Sequence, residues 1–430
     1  LKIEQIHELF LQCHSVCTDT RKLKEGDLFF ALKGENFNGN TYAEVALKNG
    51  AKYAIVDEEP YNTSPNTILV NNTLEILQKL ASYHRTYLNI PIIALTGSNG
   101  KTTTKELINA TLSQKYKTTA TIGNLNNHIG VPLTLLSMTG NTQIGIVEMG
   151  ANHQKEIELL CNIAKPDYGY ITNFGKAHLE GFGGVEGVIK GKSEMYDFLI
   201  GNNKTIFVNG NDPIQLEKTK QYPHRIVFAK NSRDFNINIH FIEALPFVKS
   251  RYNNLEIASQ LIGDYNFNNI AAAIAIGHYF KVDDDNIKAS IENYTPTNNR
   301  SQIIQKGTNH IILDAYNANP TSMRAALLNF EKQRSGIKKI AFIGDMFELG
   351  ETAQKEHQSI TDLVASLDID QTILIGENFF KTQTKSNTAK QFKDFNDFKD
   401  WFSRSKIENT SILIKGSRGM ALERVLEFIS

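Results

Sequence analysis

Nine consecutive residues, Thr96-Gly97-Ser98-Asn99-Gly100-Lys101-Thr102-Thr103-Thr104, concentrate more anion-handling chemistry than any other stretch of this 430-residue chain. They follow the apolar run Ile92-Ile93-Ala94-Leu95, which reads as a strand of a parallel sheet, and they open a stretch that reads as a helix. Strand, glycine-rich turn and helix start are the parts of a phosphate cradle. The glycines let backbone N–H groups curl around an anion, and the helix N-terminus adds partial positive charge. Lys101 would reach the β- and γ-phosphates of a nucleotide, and Thr102 would offer a hydroxyl where Mg²⁺ is usually held. Gly97, Ser98, Asn99, Gly100 and Thr103 complete the expected contacts. The loop departs from the common GxxxxGK[ST] pattern: Leu95 stands where the first glycine would be, which leaves GxxGKT.

A second group belongs to the same chemistry. Glu148 closes the apolar run Ile144–Val147. A carboxylate at the C-terminal end of a parallel strand, near a phosphate loop, is well placed for Mg²⁺. Asn266 and Asn269 begin an alanine-rich stretch to Tyr279 that reads as a buried helix. Their amides could meet adenine edges or ribose, or simply cap the helix. Cys13, Cys17 and Cys161 are too few and too badly spaced for a disulfide framework or a zinc site, and read as inert thiols.

The elements that must position these groups fall into three α/β blocks. Residues 1–88 hold turn–strand units at Gly26–Leu32 and Gly50–Val56, a helix at Tyr42–Asn49 and an outgoing helix at Thr73–Tyr87. Residues 89–296 carry apolar strands at Ile92–Thr96, Ile144–Met149, Tyr168–Asn173 and Thr205–Asn209 with helices between, the pattern of a mostly parallel, doubly wound sheet. A polar linker at Thr295–Asn299 leads to residues 297–430. There, strands at His310–Ala315, Lys339–Ile343, Thr372–Ile375 and Ser411–Ile414 alternate with helices at Ser322–Gln333, Thr352–Ser366 and Met420–Phe428, a second open, Rossmann-like sheet. Lys+Arg and Asp+Glu balance at 46 each, so no global field points to nucleic acid. No basic leader with an apolar run and no membrane-length apolar segment is visible, and the expectation is a cytoplasmic protein without membrane insertion.

The shortened loop resembles that of the Mur ligase and folylpolyglutamate synthase superfamily, ATP-dependent enzymes that form amide bonds. Further segments resemble Mur ligases in order along nearly the whole chain. Asn173–Gly183 resembles the segment whose histidine, here His178, joins the acidic residue Glu148 at a second Mg²⁺. Gly191-Lys192-Ser193 resembles the segment whose lysine relatives carbamylate, which implies that Lys192 becomes an anionic metal ligand. Gly263–Ala273 matches a nucleotide segment, with Tyr265 where the family usually has histidine. The resemblance makes Arg300 a γ-phosphate clamp and Asp314 a ribose ligand.

Tyr316-Asn317-Ala318-Asn319-Pro320, Gly344–Gly350, Lys415–Arg418 and the Gly123–Pro132 loop with Asn126 and Asn127 resemble the members that join D-alanyl-D-alanine to UDP-MurNAc-tripeptide. Thr18-Asp19-Thr20-Arg21 resembles their nucleotide-sugar binder. The resemblance thus implies a small N-terminal UDP-binding domain, a central ATPase domain and a C-terminal dipeptide-binding domain. Thr18, Asp19, Arg21, Asn126, Asn127, Tyr316, Asn317, Asn319 and Lys415 are the implied substrate contacts. ATP and two Mg²⁺ are the implied cofactors, the protein is expected to act as a monomer, and no nucleic acid partner is expected. Another amide ligase of the superfamily, or a nucleotide-driven switch, is the competing expectation.

Overall fold

Short apolar runs flanked by turns build three large sheets, each covered by the helices that connect its strands, and Lys33–Gly34 pairs with Phe37–Asn38 in a separate two-stranded sheet. The computed structural model describes residues 1–231, 235–297, 299–333, 336–402 and 407–429; Asn298, within the expected linker, lies outside the described residues. The N-terminal sheet is parallel, in the order Val16–Cys17, Leu28–Phe30, Tyr53–Val56, Thr67–Leu69. The C-terminal sheet runs Gln302–Lys306, Asn309–Asp314, Thr410–Lys415, Lys338–Gly344, Gln371–Ile375, Ala389–Phe392, and only its first pair is antiparallel.

The central sheet has nine described strands. Ile92–Thr96 is third from one edge, between Ile144–Glu148 and Tyr168–Ile171, all three parallel. Their C-terminal ends therefore open on one edge, where ligands bind in sheets of this type. Beyond Thr205–Asn209, the sheet continues through Arg225–Lys230 and Ile237–Ala244 and then turns antiparallel at Phe247–Tyr252 and Leu255–Ile262.

Helix Asn266–Tyr279 occupies the span expected for it and is buried almost all round from Asn266 to Gly277. Small side chains make that possible: a Cβ at Gly277 would come within 2.5 Å of Thr111 on the neighbouring helix Lys101–Leu112. The tail departs from expectation. Met420–Phe428 is not an α-helix but two tighter turns, Arg418–Met420 and Leu422–Phe428, separated by Ala421 at φ +46. A left-handed residue there interrupts the α-helical ladder, and the 3₁₀ geometry takes over.

One polar thread ties the N-terminal domain to the central one. His7 Nε2 faces His84 Nδ1 at 2.9 Å, and the other nitrogen of His84 meets the Met138 carbonyl at 2.9 Å. Both rings are buried. Burial, and the facing His84, push the His7 pKa down to about 4, and burial also lowers that of His84. Both are therefore neutral in the fold, and protonation favours the unfolded chain. Stability is full above the ordinary histidine value of 6.5 and falls as pH drops toward about 4. The thermal midpoint of the parent is expected to fall across that window, and His7→Phe, placed among Phe10, Tyr83 and Tyr87, to fall less steeply. Equal slopes in a calorimetric pH series would refute the assignment.

Candidate active site between the central and C-terminal domains

The phosphate loop is shaped by the strand beside it. Ser98 N–H donates to the Asn173 carbonyl (3.0 Å), Asn99 N–H to Asn173 Oδ1 (3.2 Å), and Thr172 Oγ1 to the Asn99 carbonyl (2.6 Å). Ser98 Oγ donates to the Gly175 carbonyl at 2.7 Å. Gly97 sits at φ +140, and a Cβ there would lie 2.0 Å from Thr172 Oγ1. Gly100, at φ +80, begins helix Lys101–Leu112 and backs onto Asn269, whose Oδ1 would be 2.6 Å from an added Cβ. Only glycine fits either position, and the cradle follows from that.

Lys101 Nζ donates to the Gly97 carbonyl at 2.7 Å, folding its ammonium back over the loop. Burial lowers its pKa; Glu148 pulls the other way, and Arg300 adds to the lowering. Glu148 is 1% exposed, with Oε1 accepting from Asn126 Nδ2 (2.8 Å) and Thr102 Oγ1 (3.3 Å). Among the described residues its Oε2, which is buried, has no hydrogen-bond partner. An orphaned carboxylate oxygen beside a threonine hydroxyl fits a hard cation whose remaining ligands come from phosphate and water. Among the described residues, no group of three or more His, Cys, Asp or Glu side chains converges as a metal cage.

A cleft of about 630 Å³ gathers most of the expected residues. Ser98 to Thr103, Asn126, Asn127, Glu148, His178, Asn266 and Asn269 line it from the central domain, and Arg300, Asp314, Tyr316, Asn317, Asn319 and Lys415 from the C-terminal one. The guanidinium of Arg300 stacks 3.5 Å over the Tyr316 ring, and Lys415 Nζ meets Asp314 Oδ2 at 2.5 Å. Asn319 Nδ2 donates to Asn99 Oδ1 at 2.7 Å, so the C-terminal domain touches the phosphate loop itself. Asn126 is committed to Glu148, and Asn127 Oδ1 accepts from the Ile129 and Gly130 N–H groups.

Other expected residues sit differently. Asn269 spends its amide on Asn266 (2.7 Å) and Thr104 (3.0 Å), and Asn266 donates to the Ile262 carbonyl (2.8 Å). These two brace the loop from behind, as well as facing the cleft. Lys192 does not line the cleft: 1% exposed, it donates to the Ala151 carbonyl at 3.0 Å and lies over the Phe182 ring. Burial, then nearby Lys101, push its pKa well below the ordinary lysine value. Thr18, Asp19 and Arg21 lie apart from the cleft on the N-terminal domain. Asp19 there holds the exposed Arg21 at 2.8 Å, which lowers the Asp19 pKa to about 2.

Sequence reasoning gave no role to Asn173 or Glu348, although both stand inside segments singled out for other residues. Asn173 is the clamp on the loop described above. Glu348 reaches across from the C-terminal domain to His178 Nδ1 in a close hydrogen bond.

Comparison with known proteins fits this geometry. Three family models match: "Mur ligase family, catalytic domain" over residues 12–85, "Mur ligase middle domain" over 95–277 and "Mur ligase, glutamate ligase domain" over 299–418. The chain belongs to the Mur ligase family. Within it, the UDP-N-acetylmuramoyl-tripeptide–D-alanyl-D-alanine ligase of Bacillus subtilis (strain 168) is 35% identical, over 96% of this chain and 92% of the relative. The enzyme of that name from Escherichia coli (strain K12) is 34% identical, with the same coverage. A crystal structure of MurF from Acinetobacter baumannii superimposes with a TM-score of 0.87 at 30% identity, over 99% of this chain and 98% of the other. MurF of Thermotoga maritima, solved with ADP, gives a TM-score of 0.81 at 27% identity, over 97% of each chain. The fold is the three-domain α/β fold of that family.

Proposed function

We propose that this chain is an ATP-dependent ligase that adds D-alanyl-D-alanine to UDP-MurNAc-tripeptide, giving UDP-MurNAc-pentapeptide, ADP and phosphate. The observation that carries this reading is a single cleft in which Lys101, Thr102 and Glu148 of the central domain face Arg300, Asp314 and Lys415 of the C-terminal one. The close whole-length relatives support the choice of substrates. We place the domains at 1–88 for the UDP-sugar, 89–296 for ATP and 297–430 for the dipeptide.

The loop N–H groups and Lys101 hold the triphosphate, and Arg300, kept in place by the Tyr316 ring, meets the γ-phosphate. Asp314 takes the ribose hydroxyls. The tripeptide carboxylate attacks the γ-phosphorus and ADP leaves, which converts a poor acyl donor into an acyl phosphate. The dipeptide amine then attacks the acyl carbon, and phosphate departs from the tetrahedral intermediate. Mg²⁺, bound through Thr102 and Glu148 and at a second position through His178, would neutralise charge on the transferring phosphoryl oxygens. Burial disfavours the charged form of Lys192, and the uncharged amine is the form that combines with CO₂, which supports its carbamylation. Thr18, Asp19 and Arg21 would bind the UDP moiety. Closure of the C-terminal domain over the loop excludes the water that would hydrolyse the acyl phosphate.

No helix among the described residues is long and apolar enough to cross a membrane; a cytoplasmic location is proposed from the family reading alone. The enzyme is proposed to act as a monomer. Incubation with ATP and UDP-MurNAc-tripeptide should release little phosphate until D-alanyl-D-alanine is added, with the pentapeptide product detected by mass. Steady phosphate release without an amine would mark a nucleotide switch instead, and glutamate as the accepted amine would mark a different ligase.

A further inference from the structure

On the ligase reading above, the acceptor reaches the cleft as an ammonium ion and needs a carboxylate to meet it. Four carboxylates line the cleft: Glu148, Glu156, Asp314 and Glu348. Three are committed. Glu148 is bound by Asn126 and Thr102 on the phosphate side, and its remaining oxygen is buried. Glu156 accepts the Asn152 and His153 N–H groups at 2.6 and 2.9 Å on one oxygen, its other oxygen faces the His153 ring at 3.8 Å, and it stands on the central domain rather than on the one proposed to carry the dipeptide. Asp314 is neutralised by Lys415 and also accepts the Ser301 N–H at 3.0 Å. Glu348 differs. Among the described residues its side chain has one hydrogen-bond partner, His178 at Oε2, while about half of the side chain stays exposed.

Its loop is built to present it. Glu348 adopts φ +60, a conformation that a side chain disfavours, with Gly350 at φ +53 two residues on. The preceding Phe347 is fixed through its N–H to Ser417 Oγ at 2.9 Å, and the Glu348 carbonyl accepts the Glu180 N–H of the central domain at 3.3 Å. The carboxylate thus stands at the seam of the two domains, on the side that belongs to the C-terminal one.

We propose that Glu348 binds the ammonium group of the incoming dipeptide and holds its nitrogen facing the acyl phosphate; the nitrogen attacks after losing one proton to solvent, and the phosphate leaves with the second as the acyl C–O bond breaks. The His178 ring keeps one carboxylate oxygen oriented, and the other is left for the substrate. This makes Glu348 a determinant of amine recognition rather than of phosphoryl transfer, and it separates the two half-reactions by residue.

The test uses Glu348→Gln, whose amide oxygen still accepts from His178 but carries no charge. Two quantities are measured in the full-length enzyme: acyl-phosphate formation, trapped by hydroxylamine with ATP and UDP-MurNAc-tripeptide and no dipeptide, and KM for D-alanyl-D-alanine. The variant should retain the trapped half-reaction, while its KM for the dipeptide rises ~5-fold or more, the scale for losing one partner of a partly exposed charge pair. N-acetyl-D-alanyl-D-alanine, which has no ammonium, should inhibit parent and variant equally weakly.

An unchanged dipeptide KM overturns the proposal. So does an equal rise in KM for ATP and dipeptide, which would make Glu348 a latch between domains. If the parent itself forms no hydroxamate from the tripeptide, the ligase reading fails, and this inference with it.

Discussion

Replacing Lys101 by alanine is expected to lower kcat for ligation by about 10²–10³, the usual cost of removing one preorganised charge from a phosphoryl-transfer or oxyanion site. The variant should stay folded. Among the described residues the Lys101 ammonium has one hydrogen bond, to the Gly97 carbonyl, and burial already disfavours its charge, so its removal relieves desolvation. Alanine also favours the first turn of helix Lys101–Leu112. Unchanged circular dichroism and melting together with collapsed turnover is therefore the expected pair of results. Lys101→Arg should not rescue, because a planar, longer guanidinium cannot fold back onto Gly97 as the lysine does. Turnover within a few-fold of the parent in Lys101→Ala would mean that the triphosphate binds elsewhere.

Gly97→Ala should be the most damaging single methyl in the site. The added Cβ would lie 2.0 Å from Thr172 Oγ1 and 3.0 Å from the Thr172 backbone nitrogen, at a φ that L-residues rarely adopt. Thr172 Oγ1 is also the donor that holds the Asn99 carbonyl at 2.6 Å, so any relief of the clash must open the loop. Overpacking and backbone strain together should cost about 2–4 kcal/mol of stability. ATP binding, measured by titration calorimetry, should weaken by about 100-fold as the N–H groups lose their common focus. Ala at position 97 with parent-like affinity would show that the loop is not the cradle described.

The parts of this molecule that sequence reveals are those whose signal is local. The strand Ile92–Thr96 is a continuous apolar run bounded by a glycine turn, and helix Asn266–Tyr279 is a buried stretch with no breaker inside it. Both occupy their expected spans. The strands at Phe247–Tyr252 and Leu255–Ile262 alternate between buried and exposed positions and carry charges such as Lys249, Arg251 and Glu256, so no apolar run announces them. Thr118–Ala120 is three residues long and half-exposed, and it pairs only because Ile144–Glu148 lies beside it. Helix Ile3–Phe10 is amphipathic, and what fixes its apolar face is the distant helix Thr73–Leu88.

The site divides in the same way. Gly97, Lys101 and Thr102 announce themselves in one six-residue string, because the proposed cradle is contiguous in the chain. Glu348 and His178 meet from 170 residues apart, and nothing in either segment names the other. Asn269 was legible as a polar residue at a helix start, but not as the brace behind Gly100. Lys192 was legible through its segment, whereas its position beneath the Ala151 carbonyl, outside the cleft, depends on how helix Val185–Gly201 packs.

The brace behind the phosphate loop sets an order on the birth of the enzyme. Thr104 leans on Asn269, 165 residues further along, so a chain still being made cannot finish its nucleotide pocket when the loop leaves the ribosome. It must wait for the helix at Asn266–Tyr279 to emerge. A fragment ending near residue 230 would carry every residue of the loop and still lack the wall against which the loop is set. The loop's final shape thus waits on a helix far downstream of it in the chain.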